Sequence, residues 1–325
     1  MSRPDPRPAT ASNPVKVILD TDIGDDIDDA LALALILASP ELELLGVTTV
    51  FGNAEARSRQ ARTELVIANR PDVPVAIGCG ATMASRPNET RHAKLDDIPS
   101  QDSTCFPVDR LPKADPRHGV DFLIDTIMAG NGDIVPIAIG ALTNLALALV
   151  KEPRIKAKIP KMVIMAAEFR RTWAEWNIRC DPEAAFIVFN SGIPCDVTTW
   201  HIGDTAKFKP ADIQRLLDCK QPVAGYLHRA IKAWQGSGAA MPSLFDPLAV
   251  ATMIKPDLCT WKPAVVAVDL QGSNAVYGVT TMRESPTGHH NVAWDVDRDA
   301  SIHWYLDRVC HYAGGRVGAQ KQAAR

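Results

Sequence analysis

From Val15 onward the chain alternates short apolar runs with stretches of helical length. Val15 to Leu19 and Leu42 to Val50 read as buried strands, and Asp28 to Ala38 between them reads as a helix apolar on every side. A polar amphipathic helix from Ala54 to Ala68 and a short strand in VPVAIG follow. After a Pro-, Asp-, Ser- and Thr-rich excursion over 81–116 the alternation resumes. Helices are expected in GVDFLIDTIMAG, LTNLALALV and PEAAFIVFNSG, and strands in IVPIAIG, KMVIMAA and CDVTTW. Pro210 to Gly236 reads as one helical stretch and DPLAVATMI as another. Strands in PAVVAVDL and NVAWDV and a helix from Asp299 to Tyr312 close the pattern. Such alternation predicts an α/β fold, an open, mostly parallel sheet with helices on both faces. No repeat or composition break divides it, so a single domain is expected over 15–313, with a flexible leader at 1–14 and a flexible tail at 314–325.

Composition narrows the function classes. The 325 residues are 46% hydrophobic, enough for a large core, and carry a net charge of −3. No general positive field is available to attract nucleic acid or an anionic membrane. The seven cysteines are widely spaced, without a CxxC pair, and read as reduced thiols. The N-terminal stretch lacks the apolar segment of a secretory signal, and the longest apolar run, ALALALILA, is too short to span a bilayer. A cytoplasmic protein is expected.

The densest chemistry is the stretch DTDIGDDIDD, where Asp20, Asp22, Asp25, Asp26, Asp28 and Asp29 follow the first strand. Ligand sites in parallel sheets lie beyond the carboxyl ends of the strands. Capping would account for Asp28 or Asp29 alone. So many carboxylates repel one another unless a cation joins them, and an all-oxygen set suits Ca²⁺ or Mg²⁺ rather than zinc or copper. The stretch is not an EF-hand loop, since the glycine, Gly24, arrives one place early and Leu31 stands where the final glutamate belongs.

Taken together, DTDIG…DDALAL, LLGVTTVFGN, PIAIGALTNLA, VIMAA, AEWNIRCDPEAA and FDPLAV resemble the nucleoside hydrolases, the inosine/uridine-type N-ribohydrolases, over nearly the whole chain. The resemblance implies a Rossmann-like core, assembly as a dimer or tetramer, and Ca²⁺-dependent cleavage of a small ribonucleoside into base and ribose. It places Ca²⁺ ligands on Asp22, Asp29, the backbone carbonyl of Ile139 and Asp246. It places ribose-binding groups on Asn53, Glu175 and Asn177, with Met165 lining the sugar pocket, and makes Asp22 the base that takes a proton from the attacking water. Without the resemblance, Asn53 reads more readily as a turn or helix-cap residue and Glu175 as a surface charge.

Two departures stand out. The aspartate loop is two residues longer than the usual motif, which leaves open whether Asp26 or Asp28 approaches the metal; Asp28 is preferred because it opens DDALAL, and Asp25 is expected to face solvent. Phe245 occupies the position where many relatives carry a proton-donating His. His201, His289 and His290 are then candidate donors, and Trp173 and Trp176 candidates to stack on the base. A non-catalytic or weakly active riboside-binding protein of the same fold and a phosphatase are the competing readings.

Overall fold

The computed structural model describes residues 10–84, 94–238, 240–271 and 276–311; the tail and most of the leader fall outside them. The chain opens with β1 (Val15–Thr21), α1 (Asp28–Leu37), β2 (Leu42–Thr49), α2 (Ala54–Ile67) and β3 (Val75–Ile77). It continues with α3 (Gly119–Ala129), β4 (Ile134–Ala138), α4 (Thr143–Lys151), β5 (Met162–Met165), α5 (Trp176–Cys180), α6 (Pro182–Phe189) and β6 (Cys195–Thr198). The helices α7 (Trp200–Thr205), α8 (Pro210–Asp218), α9 (Pro222–Gly236) and α10 (Phe245–Ile254) precede β7 (Cys259–Val268), β8 (Thr280–Glu284), β9 (His290–Val296) and α11 (Arg298–Cys310).

The strands form one open sheet in the order β3-β2-β1-β4-β5-β6-β9-β7-β8. Pairing is parallel from β3 through β9, and β7 and β8 add an antiparallel edge. Side chains alternate across the sheet. Val17 and Leu19 of β1 pack with α1, α2, α9, α10 and α11, whereas Ile18 packs with α3, α4 and α6 on the other face. The single-domain, two-faced α/β architecture read from the alternation is the one observed. Among the described residues no helix is long and apolar enough to cross a membrane.

Three local differences have physical causes. The stretch 210–236 is two helices, because Lys220 adopts a left-handed φ of 55° and Pro222 then starts a new helix. Trp200 does not extend β6 but begins α7, two residues beyond the strand end. The 81–116 excursion is not simply surface: Gln101 is fully buried, and its backbone N–H and that of its side chain donate to the carbonyls of Gly24 and Asp26. Ser100 Oγ donates to the carbonyl of Asp25 at 2.9 Å. A distant segment thus clasps the aspartate loop. Gly24 sits at φ +130°, and a Cβ there would lie 2.8 Å from Pro99 Cβ, so clasp and loop fit only with glycine.

The sheet's connections reverse direction at β1. The chain steps outward to β2 and β3, then returns to β4 on the opposite side of β1. A crevice opens at such a switch point, beyond the carboxyl ends of the strands.

Candidate active site

A cavity of about 350 Å³ lies beyond the ends of β1, β4 and β5. Its lining comprises Asp22, Asp25, Asp26, Asp28, Asp29 and Ile139, then Met165, Glu175, Trp176 and Asn177, and finally Trp200, Trp234, Phe245 and Asp246. Most of the residues expected from sequence therefore meet in one place. Asn53 and Trp173 are outside this lining. Asn53 caps α2, its Oδ1 accepting from Ala56 N–H at 3.0 Å. Trp173 stands edge-on against Trp200, with ring centroids 5.2 Å apart.

The acidic wall is built by two helix starts. Asp28 and Asp29 occupy the first turn of α1 and Asp246 the first turn of α10, which packs against α1. One carboxylate oxygen from each lies within 4.8 Å of the others, and all three side chains are buried. Neither Asp28 nor Asp29 caps α1; Ile27 occupies that position with no side-chain cap. Removal from water, then mutual repulsion, pushes the carboxyls of Asp28, Asp29 and Asp246 well above the ordinary range. The helix N-termini favour negative charge there but cannot balance three carboxylates. An all-oxygen, buried, self-repelling set fits a hard divalent cation.

Asp22 follows β1 directly. Its carboxyl is lifted to about 6 by burial, against the opposing pull of Arg57. A Cβ on Gly140 would come within 2.7 Å of Asp22 Oδ1, so the close approach of the β4 end to Asp22 requires glycine. Arg57, buried on α2, donates to the carbonyls of Phe51, Asp22 and Ile23 and pairs with Asp25 at 2.7 Å. Asp25 is 62% exposed, in line with its expected solvent-facing position. Asp26 accepts from Ile27 N–H at 2.7 Å and borders the cavity without joining the close trio of Asp28, Asp29 and Asp246. Behind the loop, Asp20 is fully buried; its Oδ1 accepts from Thr48 and Asn144, and burial raises its carboxyl to about 7.

Glu175 is a buried helix cap, not a surface charge. Its oxygens accept from the backbone N–H groups of Asn177, Ile178 and Ala167, and burial lifts its carboxyl to about 7. Asn177 Nδ2 donates to the carbonyls of Ile139 and Met165 at 2.9 and 3.0 Å. Ala167 holds a left-handed φ of 75° while its carbonyl accepts from Trp200 N–H, so one strained residue ties Glu175 to the tryptophan wall.

The opposite wall is aromatic. Trp200 lies 6.1 Å from Phe245, centroid to centroid, under the guanidinium of Arg171. Trp176, half exposed, stands edge-on to Phe51. The three histidines expected as possible acids are elsewhere. His201 is held behind the wall by Trp294 O at 2.9 Å, His290 is buried between Cys195 N–H and Phe189 O, and His289 is exposed. Trp200 and Trp234 were missed in the sequence. The strand-end rule that found Asp22 also points to Trp200, just past β6; Trp234 lies on a long helix and gives no such signal.

A family model described as inosine-uridine preferring nucleoside hydrolase matches residues 17–303. Uridine nucleosidase 1 of Arabidopsis thaliana is 34% identical over 79% of each chain. The pyrimidine-specific ribonucleoside hydrolase RihA of Klebsiella pneumoniae is 31% identical over 91% of this chain and 99% of its own. A solved plant nucleoside hydrolase superposes with a TM-score of 0.79 at 28% identity, covering 92% of this chain and 99% of that one. A purine-preferring ribonucleoside hydrolase from Gardnerella vaginalis gives 0.77, also at 28% identity and over the same shares.

Proposed function

Because the chain belongs to the inosine-uridine preferring nucleoside hydrolase family, and is thus an N-glycosyl hydrolase of a metal-dependent group, we propose that it cleaves ribonucleosides into base and ribose with Ca²⁺ held by Asp22, Asp28, Asp29, Asp246 and the carbonyl of Ile139. The observation that carries this reading is the meeting of the Asp28, Asp29 and Asp246 oxygens at a cavity shared with Asp22 and Ile139. When bound, such a cation would supply Lewis-acid chemistry beside the sugar, which makes a neighbouring water more acidic.

The chain's own groups supply the rest. Asp22 accepts the proton of the attacking water, and positive charge growing on the sugar meets the surrounding carboxylates. The amide hydrogens of Asn177 face Ile139 and Met165, which leaves its Oδ1 to orient a sugar hydroxyl. Glu175 fixes the start of α5 and with it Trp176 and Asn177. Asn53 and Trp173 then act from behind the cavity wall, through the α2 start and through Trp200. The proposal extends to a cytoplasmic location, supported by seven free thiols, and to a homodimer or homotetramer, which light scattering tests.

Release of reducing sugar from a panel of nucleosides, without release of phosphate from phosphate esters, tests the reaction. Purified protein is expected to contain calcium and to lose activity on exhaustive EGTA treatment; zinc in its place, or full activity after EGTA, would refute the metal assignment. Stability gives an independent readout. Raised carboxyl pKa values contribute stability to the metal-free protein below the ordinary carboxylate range, and that contribution is lost as pH rises through the values near 6 and 7 of Asp22, Asp20 and Glu175. The melting temperature of the EGTA-treated protein is therefore expected to fall between mildly acidic and mildly alkaline pH, and added Ca²⁺ to raise it most at the alkaline end. A Ca²⁺ effect of equal size at both ends would contradict this.

A further inference from the structure

The cavity lining divides into a carboxylate half and an aromatic half, and on the hydrolase reading above the sugar occupies the first and the base the second. Trp176, Trp200, Trp234 and Phe245 make up the base side. Among the described lining residues there is no Lys, Arg or His and no hydroxyl side chain. Asp25 is paired with Arg57 at 2.7 Å, and Asp26 is engaged as an acceptor from Ile27. A neutral base leaving with the electron pair of its glycosidic bond becomes an anion, and here it would do so among seven carboxyl groups with no Lys, Arg or His in the lining to protonate it.

A base that already carries a positive charge reverses every one of these conditions. Its charge is attracted by indole faces and by the nearby carboxylates. When the bond from C1′ to the ring nitrogen breaks, the electron pair cancels that charge and the base departs neutral. The water oxygen then bonds to C1′ and its proton passes to Asp22, so the step balances without an acid. From the aromatic wall, the surplus of negative charge and the absence of a donor, we propose that this site is built for ribosides of fixed cationic bases, N-alkylated pyridinium or purinium rings. Neutral nucleosides are then the poorer substrates.

Two matched comparisons test it. The 1-methylnicotinamide cation and 3-methylbenzamide share one shape and differ in charge. As inhibitors of p-nitrophenyl riboside cleavage, the cation is expected to act at about 10-fold lower concentration; equal potency, or a tighter neutral compound, overturns the proposal without touching the hydrolase reading. Ribose release from nicotinamide riboside and 7-methylguanosine is compared, below neutral pH, with release from guanosine and uridine. An advantage of about 100-fold for either cationic riboside supports the proposal, and which one shows it distinguishes a pyridinium from a purinium source. Neutral nucleosides cleaved as well as both cationic ones overturn it. Failure to release ribose from any riboside removes the hydrolase reading as well. Trp200→Leu and Trp234→Leu, checked for an unchanged melting temperature, should bring the inhibitor ratio toward one; a ratio unchanged in both would show that the wall does not recognise charge.

Discussion

Replacing Asp22 by Asn is expected to lower turnover by about 10²-fold or more, the usual scale for loss of a general base. The substitution keeps size and shape, so the tight approach of Gly140 and the Arg57 contact to the Asp22 carbonyl are preserved. On the role proposed above, what disappears is the proton acceptor, a carboxyl that burial lifts to about 6. Asp246→Ala makes the contrast. It removes one member of the buried trio, so metal affinity and turnover should fall together. Steady-state kinetics with calcium titration separates the two: Asp22→Asn should show its loss mainly in kcat at saturating Ca²⁺, and Asp246→Ala in the calcium concentration needed. A fully active Asp22→Asn enzyme would show that the proton goes elsewhere.

p-Nitrophenyl riboside is expected to be cleaved at least about 10²-fold faster than inosine or uridine, the lower bound of what a positioned acid contributes. Phe245 stands where a donor would be needed, its ring packed beside Trp200 and against Gly203. His201, His289 and His290 do not line the cavity. With no acid, the rate follows the leaving group's own ability to depart; p-nitrophenolate departs readily, whereas an unprotonated purine or uracil does not. Stacking on tryptophan recovers only part of the deficit. The measurement compares both substrates in the unaltered enzyme and in His201→Ala, His289→Ala and His290→Ala. Equal rates on both, with nucleoside cleavage lost selectively in one variant, would reveal an acid and overturn the assignment.

Sequence patterning reached most of this site because the site is largely a strand-end phenomenon. The aspartate cluster that holds Asp22 follows β1 and is marked by where an apolar run stops; Ile139 and Met165, which also follow or finish strands, were named only through the motif resemblance. Motif resemblance added Glu175, Asn177 and Asp246. What escaped was set by tertiary packing. The role of Gln101 depends on a carbonyl of a loop far earlier in the chain. Trp234 faces the cavity only because α9 lies where it does. Strand β8 has the polar, exposed composition of an edge, with no apolar run to announce it. The short helices α5 and α7 are too brief to establish a period.

The trio of carboxylates joins residues 28, 29 and 246, and that has a consequence for how the chain reaches its native state. Closing so long a loop is entropically unfavourable, and its contacts form late. On the Ca²⁺ reading proposed above, the site is not assembled until α10 docks on α1, so the ion has little to bind in the collapsed chain. Docking itself brings like charges together, and on that reading only the finished structure would hold the cation that relieves them. Calcium should therefore act on unfolding, holding the two helix starts together and slowing their separation, while leaving the rate of refolding nearly unchanged.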